Sequence, residues 1–233
     1  MTSAGALARV AAIFAHPDDE VLGCGGALSL HARRGDEVRI LILATGLTSR
    51  GKTSTAAIRA LRREAEEACA ILGGRSVELR DFPDNAMDSI PLLKVVARVE
   101  AFLADFPATR IYTHHGGDLN VDHRVTHQAV ATAARPLPGV PDRVVLACEV
   151  PSSTEWAPAT LPPFIPTEFL DLEDALTAKV AAMRAYRGEL RKWPHPRSAQ
   201  GIEALARWRG GQCGREAAEA FVTVRRVGRI GEP

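Results

Sequence analysis

The segment IFAHPDDEVLGCGG, residues 13–26, runs from an apolar stretch directly into a histidine and three adjacent acids. Three neighbouring carboxylates repel one another, and this segment contains no lysine or arginine to balance them. A bound cation would supply the missing charge. His16 and Asp19 lie three residues apart, with Pro17 restricting the backbone between them, so an imidazole and a carboxylate can reach one metal ion.

A second polar cluster, GGDLNVDH at residues 116–123, offers His123 as a third ligand. Two histidines, one carboxylate and an open coordination position describe a catalytic zinc site, in which the metal lowers the pKa of its bound water to about 7. Asp18 is adjacent to a ligand but cannot point the same way, so it is left to accept the proton of that water. These residues predict a metal-dependent hydrolase.

Both clusters follow predicted strands, at residues 10–15 and 110–113, and each is followed by a predicted helix. Apolar segments of strand length alternate with segments of helical period along the chain, which is typical of βαβ units and a parallel sheet. Open α/β sheets bind ligands at the carboxyl ends of their strands, so both clusters are expected at one rim.

We therefore predict an α/β fold with a Rossmann-like, mostly parallel sheet flanked by helices. Residues 1–233 are predicted to form a single domain with a C-terminal helical and strand extension. The first helix, residues 21–34, has Asp18 or Asp19 as its expected N-cap and ends at Gly35. Later helices are expected at residues 57–72, 90–106 and 173–190, followed by a short one. Loops are expected at residues 46–54 and over the proline-rich residues 151–166.

The chain has 29 basic and 28 acidic residues, so it carries no global field that would attract nucleic acid or an anionic membrane. A small-molecule substrate is the default expectation. No segment approaches the roughly 20 apolar residues of a membrane span. Its four cysteines are scattered without a CxxC pair, which predicts a cytoplasmic protein without disulfides.

AHPDDE after a strand, followed much later by GGDLNVDHR, resembles the LmbE-like or PIG-L family of zinc-dependent de-N-acetylases. Members remove acetyl groups from compounds of N-acetylglucosamine. The resemblance implies His16, Asp19 and His123 as zinc ligands and Asp18 as general base. The same ligand set tolerates ferrous iron. The resemblance also implies a homo-oligomer, a trimer or a hexamer.

The chain departs from the family at Asn120, where characterised members often carry a histidine that assists the tetrahedral intermediate. Asparagine can donate a hydrogen bond to an oxyanion but cannot protonate a leaving amine. The candidates for that acid are His114, His115 and His195, and His195 is favoured because it lies in a loop between two prolines. Asp122 is expected to orient one of these histidines or a zinc ligand.

Several residues are candidates for binding the substrate. Family members use an arginine on the second helix, where this chain offers Arg63, although the expected register holds Leu61. Asp84 and Asn85 lie in a loop that could face sugar hydroxyls, and His115 is a further candidate. Another loop supplies Arg197 and Ser198, which either close the pocket or join a subunit contact; their sequence does not decide between the two.

Other functions are less consistent with the residues. The GCGG at residues 23–26 lacks the GxGxxG spacing of a nucleotide-binding turn and falls inside a helix, where small residues allow close approach to the sheet. A non-catalytic metal- or sugar-binding protein of the same fold would have little use for Asp18. An amidase acting on a thiol–sugar conjugate stays open, as does the group attached to the sugar.

Overall fold

A computed structural model describes residues 7–46 and 54–227 of the chain. The strands are β1 (Arg9–Phe14), β2 (Glu37–Ala44), β3 (Ser76–Phe82), β4 (Arg110–His114), β5 (Val144–Cys148), β6 (Glu168–Asp171) and β7 (Ala218–Arg226). The α-helices are α1 (Asp19–Arg34), α2 (Thr55–Ile71), α3 (Leu92–Asp105), α4 (Val121–Ala133), α5 (Ala175–Ala185) and α6 (Ala199–Cys213). Short 3-10 helices cover Met87–Ser89 and Thr154–Trp156. In the described part of the chain, no helix is both long and apolar enough to cross a membrane.

The seven strands form one sheet in the order β3-β2-β1-β4-β5-β7-β6. The pairs from β3 to β5 are parallel, whereas β7 is antiparallel to both of its neighbours. The predicted mostly parallel α/β sheet with a C-terminal extension is confirmed. The strand order reverses between β1 and β4, and such a switch point opens a crevice beyond the carboxyl ends of the two strands. The two polar clusters follow these strands.

The central strands are covered on both faces. Alternate residues of β1 belong to two different cores: Val10, Ala12 and Phe14 lie in the core on the α1 side, and Ala11 and Ile13 lie in the core on the α3 and α4 side. Successive side chains of a strand point to opposite faces, so a strand buried on both faces is apolar throughout. This explains why the strand segments are continuous apolar runs.

Helix α1 is broken at Cys24, where φ is −147° and ψ is 20°. The break exposes backbone groups that two buried side chains satisfy. The Glu219 carboxylate accepts hydrogen bonds from the N–H groups of Gly26 (2.9 Å) and Ala27 (2.7 Å). Lys179 donates through Nζ to the carbonyl of Leu22 (2.8 Å) and to Glu219 (2.6 Å). A buried ion pair therefore joins both halves of α1 to α5 and β7.

The small residues at the break allow this approach. A Cβ at Gly26 would overlap Cδ2 of Leu172 and lie 3.2 Å from Oε1 of Glu219. A Cβ at Gly23 would lie 3.0 Å from Cβ of Cys148 in β5. Gly23 and Gly26 are thus required for close packing of α1 against the sheet and against Leu172, which precedes α5.

Several boundaries differ from the predictions. Helix α5 ends at Ala185 because Tyr186 leaves the helix and its hydroxyl donates to Glu20 (2.6 Å). Helix α6 has 15 residues, begins with Ser198 as its N-cap and ends at Gly214, where φ is 72°. The proline-rich residues 151–166 are not wholly a surface loop, because Ser153 and Thr154 are buried. Most of the loop predicted at residues 46–54 lies outside the described residues.

Candidate metal centre

The turn between β1 and α1 holds Asp18 in an unusual backbone conformation. Its φ is 95° and its ψ is −27°, in the left-handed region that is costly for a residue with a Cβ. Asp18 occupies the predicted N-cap position, but its side chain makes no capping hydrogen bond. The carboxylate of Asp19 instead accepts the backbone N–H of His16 (2.8 Å). The two adjacent acids therefore have different partners.

His16, Asp19 and His123 come together as a candidate metal site. Oδ2 of Asp19 lies 3.3 Å from Nδ1 of His16 and 3.2 Å from Nε2 of His123. Two ligands bound at about 2.0–2.1 Å to one tetrahedral ion lie roughly 3.3 Å apart, so these separations fit such an ion. The other oxygen of Asp19, Oδ1, is buried and has no hydrogen-bond partner among the described residues. A metal ion would satisfy it.

The electrostatics of the centre also favour a cation. Burial alone would lower the pKa of His123, but Asp19 and Asp118 raise it to about 9. Burial likewise opposes the protonation of His16, and Asp122 and Asp19 raise its pKa to about 10. The carboxylates thus hold positive charge on the imidazoles. A divalent ion can replace these protons, because metal binding to histidine releases them.

Asp118 supports His123 from the other side of the ring. Its Oδ1 lies 3.0 Å from Nδ1 of His123, and its carboxylate also accepts hydrogen bonds from the hydroxyls of Ser153 and Thr154. Burial alone would raise the pKa of Asp118, but the adjacent His123 imidazole and the two hydroxyls lower it to about 2. Asp118 is not among the residues that sequence reasoning singled out; its only signal is its place in the same polar turn as His123.

Asp122 supports His16 in the same way. Its Oδ2 lies 3.0 Å from Nε2 of His16, and its two oxygens accept the backbone N–H groups of Asn85 (2.6 Å) and Met87 (2.9 Å). Because Nε2 faces Asp122, Nδ1 is the nitrogen left to bind a metal. Nε2 also lies 3.3 Å from Oδ1 of Asp84. Of the two roles predicted for Asp122, this geometry matches the orientation of a metal ligand.

Asp18 is almost fully buried, and Nη1 of Arg197 donates to its Oδ2 (2.9 Å). Burial raises the pKa of Asp18 to about 7, although Arg197 opposes the shift. The backbone N–H of Asp18 donates to Glu20 (3.2 Å), whose pKa burial raises to about 8. A carboxyl group with a pKa close to neutrality can both accept a proton and return it.

Asn120 is the N-cap of α4. Its Oδ1 accepts the N–H of Asp122 (2.8 Å), and its Nδ2 donates to Oδ1 of Asn85 (2.9 Å). Asp84 is bonded to the side chain of Asn85 (3.0 Å). These contacts bring Asp84, Asn85 and Asn120 together at the wall of a pocket beside the candidate metal site.

The three histidines considered as acids occupy different places. His114 is buried, stacks on His123 at 3.8 Å between ring centroids, and accepts the N–H of Ala15 through Nε2 (2.8 Å). His115 contacts the carbonyl of Pro162 (2.9 Å). His195 accepts the N–H of Arg197 through Nδ1 (3.1 Å). Within the described ranges, no hydrogen bond joins any of these rings to Asp18.

A cavity of about 180 Å³ opens beside the centre. Its walls are formed by His16, Pro17, Asp18, Thr45, Gly46, Leu61, Asp84, Asn85, Asn120, Glu189 and Arg197. Arg63 is not in these walls; it is exposed on α2, and Leu61 of that helix faces the cavity instead. A larger cavity of about 310 Å³ lies against Arg110 and Tyr112, away from the candidate ligands.

Comparisons with known proteins identify a family and similar deacetylases. The family model "PIG-L: GlcNAc-PI de-N-acetylase" matches residues 11–134. The uncharacterized deacetylase YaiS of Escherichia coli K12 is 28% identical over 193 residues, covering 80% of this chain and 95% of YaiS. The 1D-myo-inositol 2-acetamido-2-deoxy-alpha-D-glucopyranoside deacetylase of Mycobacterium sp. strain JLS is also 28% identical, covering 82% of this chain and 77% of that protein.

One similar crystal structure belongs to an enzyme of another reaction class. GalB, the 4-carboxy-2-hydroxymuconate hydratase of Pseudomonas putida KT2440, superposes with a TM-score of 0.76 at 25% sequence identity, covering 97% of this chain and 99% of GalB. The fold is thus shared with a hydratase. Since the family model covers more than half of the chain and includes His16, Asp18, Asp19 and His123, this protein belongs to the PIG-L family of de-N-acetylases.

Proposed function

We propose that this protein hydrolyses the acetamide of an N-acetylated amino sugar in a metal-dependent reaction, releasing acetate and a free amine. One observation carries the proposal: His16, Asp19 and His123 come together where the buried Oδ1 of Asp19 has no partner among the described residues, and Asp18 lines the adjacent pocket. Two similar proteins named as deacetylases, one of an acetamido-glucopyranoside, support it.

His16, Asp19 and His123 would hold the metal, through Nδ1, the carboxylate and Nε2. When bound, the metal would polarise the acetamide carbonyl and lower the pKa of a water molecule. Asp18 accepts the proton of the attacking water on its carboxylate. It then returns the proton to the nitrogen of the leaving amine, so a separate histidine acid is not required.

The remaining predicted residues have supporting roles in this proposal. Asp122 and Asp118 keep His16 and His123 in the orientation that binding requires. Asn120, with Nδ2 already bonded to Asn85, helps to hold the tetrahedral intermediate, while Asp84 and Asn85 accept sugar hydroxyls at the pocket wall. His195 acts on the amine through a movement of its loop, and Arg63 contacts the part of the substrate outside the pocket. His115 is buried and bonded to the carbonyl of Pro162, so it holds the segment after β5 and does not contact the substrate.

We further propose zinc as the metal, with ferrous iron as an alternative, because two imidazoles and a carboxylate suit both ions. The substrate is a small amino-sugar compound. We also propose a homo-oligomer, a trimer or a hexamer, which would cover Trp193 and Trp208, two side chains that are more than half exposed in a single chain. Four cysteines without a disulfide are consistent with a cytoplasmic protein.

The test combines metal content with acetate release, on the wild type and Asp18→Asn. The panel contains N-acetylglucosamine, its inositol and malate glycosides, a nucleotide sugar and a thiol conjugate. We expect about one zinc ion per chain in both proteins and a loss of roughly 10²–10⁴-fold in turnover in the variant. Near-normal turnover by metal-loaded Asp18→Asn would disprove the role of Asp18. Release of the acyl group from the thiol conjugate alone would favour an amidase that acts on a thiol–sugar conjugate.

Hydration of an unsaturated carboxylate is the second candidate, because GalB is 25% identical over almost the whole chain. The described pocket wall gives this candidate little support: its cationic side chains are Arg197 and His16, and Arg197 is already bonded to Asp18 and lies 3.4 Å from Glu189. Ultraviolet absorbance would follow hydration of carboxylated muconates in the same assays. Hydration without acetate release from any amide would replace the deacetylase proposal, whereas binding of sugars without either reaction would indicate a non-catalytic protein.

A further inference from the structure

Arg197 joins three separate segments of the chain at the pocket wall. Its Nη1 donates to Oδ2 of Asp18 (2.9 Å) and lies 3.4 Å from Oε2 of Glu189. Its Nε donates to the hydroxyl of Ser152 (2.7 Å). Asp18 follows β1, Ser152 follows β5, and Glu189 follows α5. Only 18% of the Arg197 side chain is exposed, so contacts from three directions hold the guanidinium in one place.

One nitrogen of this guanidinium is left for another partner. Nε and Nη1 make the bonds to Ser152, Asp18 and Glu189, whereas Nη2 makes no hydrogen bond to any residue in the described ranges. An atom without a hydrogen-bond partner is either buried and unsatisfied or exposed to solvent. Nη2 of Arg197 is not buried and unsatisfied, so it is accessible to solvent. A guanidinium offers five N–H donors, two of them on Nη2. Because Arg197 lines the pocket, Nη2 is the donor available to a bound molecule.

The charges around Arg197 indicate which group it meets. Asp18 and Glu189 already contact the guanidinium, and Asp84 lies in the same wall. A carboxylate or phosphate on the ligand would be close to these acids and repelled by them. A sugar hydroxyl can accept a hydrogen bond from Nη2 and donate its own hydrogen to a carboxylate such as Glu189. The combination of one donor and several acceptors therefore fits a neutral polyhydroxyl ring.

We propose that Arg197 positions Asp18 through Nη1 and binds a hydroxyl group of the amino sugar through Nη2. The inference rests on the proposed function and adds to it a specificity residue that selects the neutral sugar. Asp18 has a strained backbone and few other polar contacts, so the guanidinium sets the direction of its carboxylate. Lysine cannot replace Arg197, because a single ammonium is a point donor and cannot reach Asp18, Ser152 and the substrate together.

The test compares Arg197→Ala and Arg197→Lys with matched changes at Arg209. Arg209 forms two hydrogen bonds with Glu149 (2.7 and 2.6 Å) and does not contact Asp18, so Arg209→Ala and Arg209→Lys should leave kcat and KM unchanged. For Arg197→Ala we expect kcat to fall about 100-fold through the misplaced base and KM to rise about 10-fold through the lost charged hydrogen bond. Zinc content should match the wild type, whereas Tm should fall, because the variant leaves the buried carboxylate of Asp18 without its charged partner.

Chemical rescue separates positioning from a merely structural role. Millimolar guanidinium or methylguanidinium should raise kcat of Arg197→Ala in a saturable way, and it should not raise kcat of Asp18→Asn. If Arg197→Ala does not fold, Arg197→Lys is the variant that tests the proposal, because it keeps the positive charge. For Arg197→Lys we also expect a lower kcat and a higher KM than for the wild type.

The outcomes distinguish the two proposals. Absence of acetate release by the wild type on the whole panel would overturn the proposed function and the role of Arg197 with it. Acetate release by the wild type, with kcat and KM unchanged in Arg197→Ala or Arg197→Lys, would overturn the role of Arg197 alone. A fall in kcat without a change in KM would overturn the contact between Nη2 and the sugar.

Discussion

Asp118 lies 3.0 Å from Nδ1 of His123, while Nε2 of the same ring lies 3.2 Å from Asp19. A carboxylate on the second nitrogen fixes the orientation of a ligand histidine and makes it more basic. Asp118 is in turn bonded to the hydroxyls of Ser153 and Thr154, so the segment after β5 supports a ligand that stands on α4. The position of the ligand thus depends on a second loop.

Replacing Asp118 with alanine should weaken zinc binding about 10–100-fold, because the imidazole of His123 loses its orienting partner. Competition with a chelating dye measures the affinity. Asp142→Ala, at an exposed position, is the control and should bind zinc like the wild type. Equal affinity in Asp118→Ala would show that α4 alone orients the ligand.

Removing the metal should lower the thermal stability of the protein. The native state binds the ion through three preformed ligands and the unfolded chain does not, so bound metal stabilises by about 3–4 kcal/mol at 100–1,000 times its dissociation constant. Differential scanning calorimetry with and without a chelator measures the change in Tm, and added zinc should restore it. His123→Ala should show a much smaller shift, together with reduced zinc content. Full zinc occupancy in that variant would remove His123 from the ligand set.

Gly26→Ala should destabilise the protein by about 1–3 kcal/mol, because the new methyl group overlaps Leu172 and crowds Glu219 in a packed interior. Gly211→Ala is the matched control: it lies in α6 with no atom within 4 Å of the added Cβ, and it should stabilise by up to about 1 kcal/mol through helix propensity. Urea unfolding measures both. Equal effects of the two changes would mean that α1 can shift away from Leu172.

Breaking the buried pair of Lys179 and Glu219 should have a large effect on the free energy of unfolding. Glu219→Gln leaves the Lys179 ammonium without its counter-charge, which costs about 3–5 kcal/mol. Glu100→Gln is the control: it removes an exposed ion pair with Arg135 and should change the free energy of unfolding little. The double variant Lys179→Met with Glu219→Gln should be destabilised by less than the sum of the two single variants, because each single change removes the same ion pair. Additive costs would show that the two residues act independently.

The order of strands and helices was predictable from the sequence because each depends on a short periodic pattern. The apolar run before His16 and the one before His114 are strands, and the segments after both clusters are helices, as predicted. Gly35 ends α1 in the left-handed conformation that its glycine allows. The predicted end of a helix was wrong where a residue distant in sequence makes a contact. Helix α5 ends at Ala185 and not near residue 190, because the next side chain, Tyr186, bonds to Glu20.

The sequence by itself determined the candidate ligands His16, Asp19 and His123, because imidazole and carboxylate groups in clusters after two strands of a parallel sheet must meet at one rim. Only the tertiary structure decided which partners hold them. Asp118, Asp122, Arg197 and the pair of Lys179 and Glu219 act through contacts between segments far apart in the chain. The direction of a buried side chain depends on packing and hydrogen bonds from several elements at once, and no local pattern of residues records it.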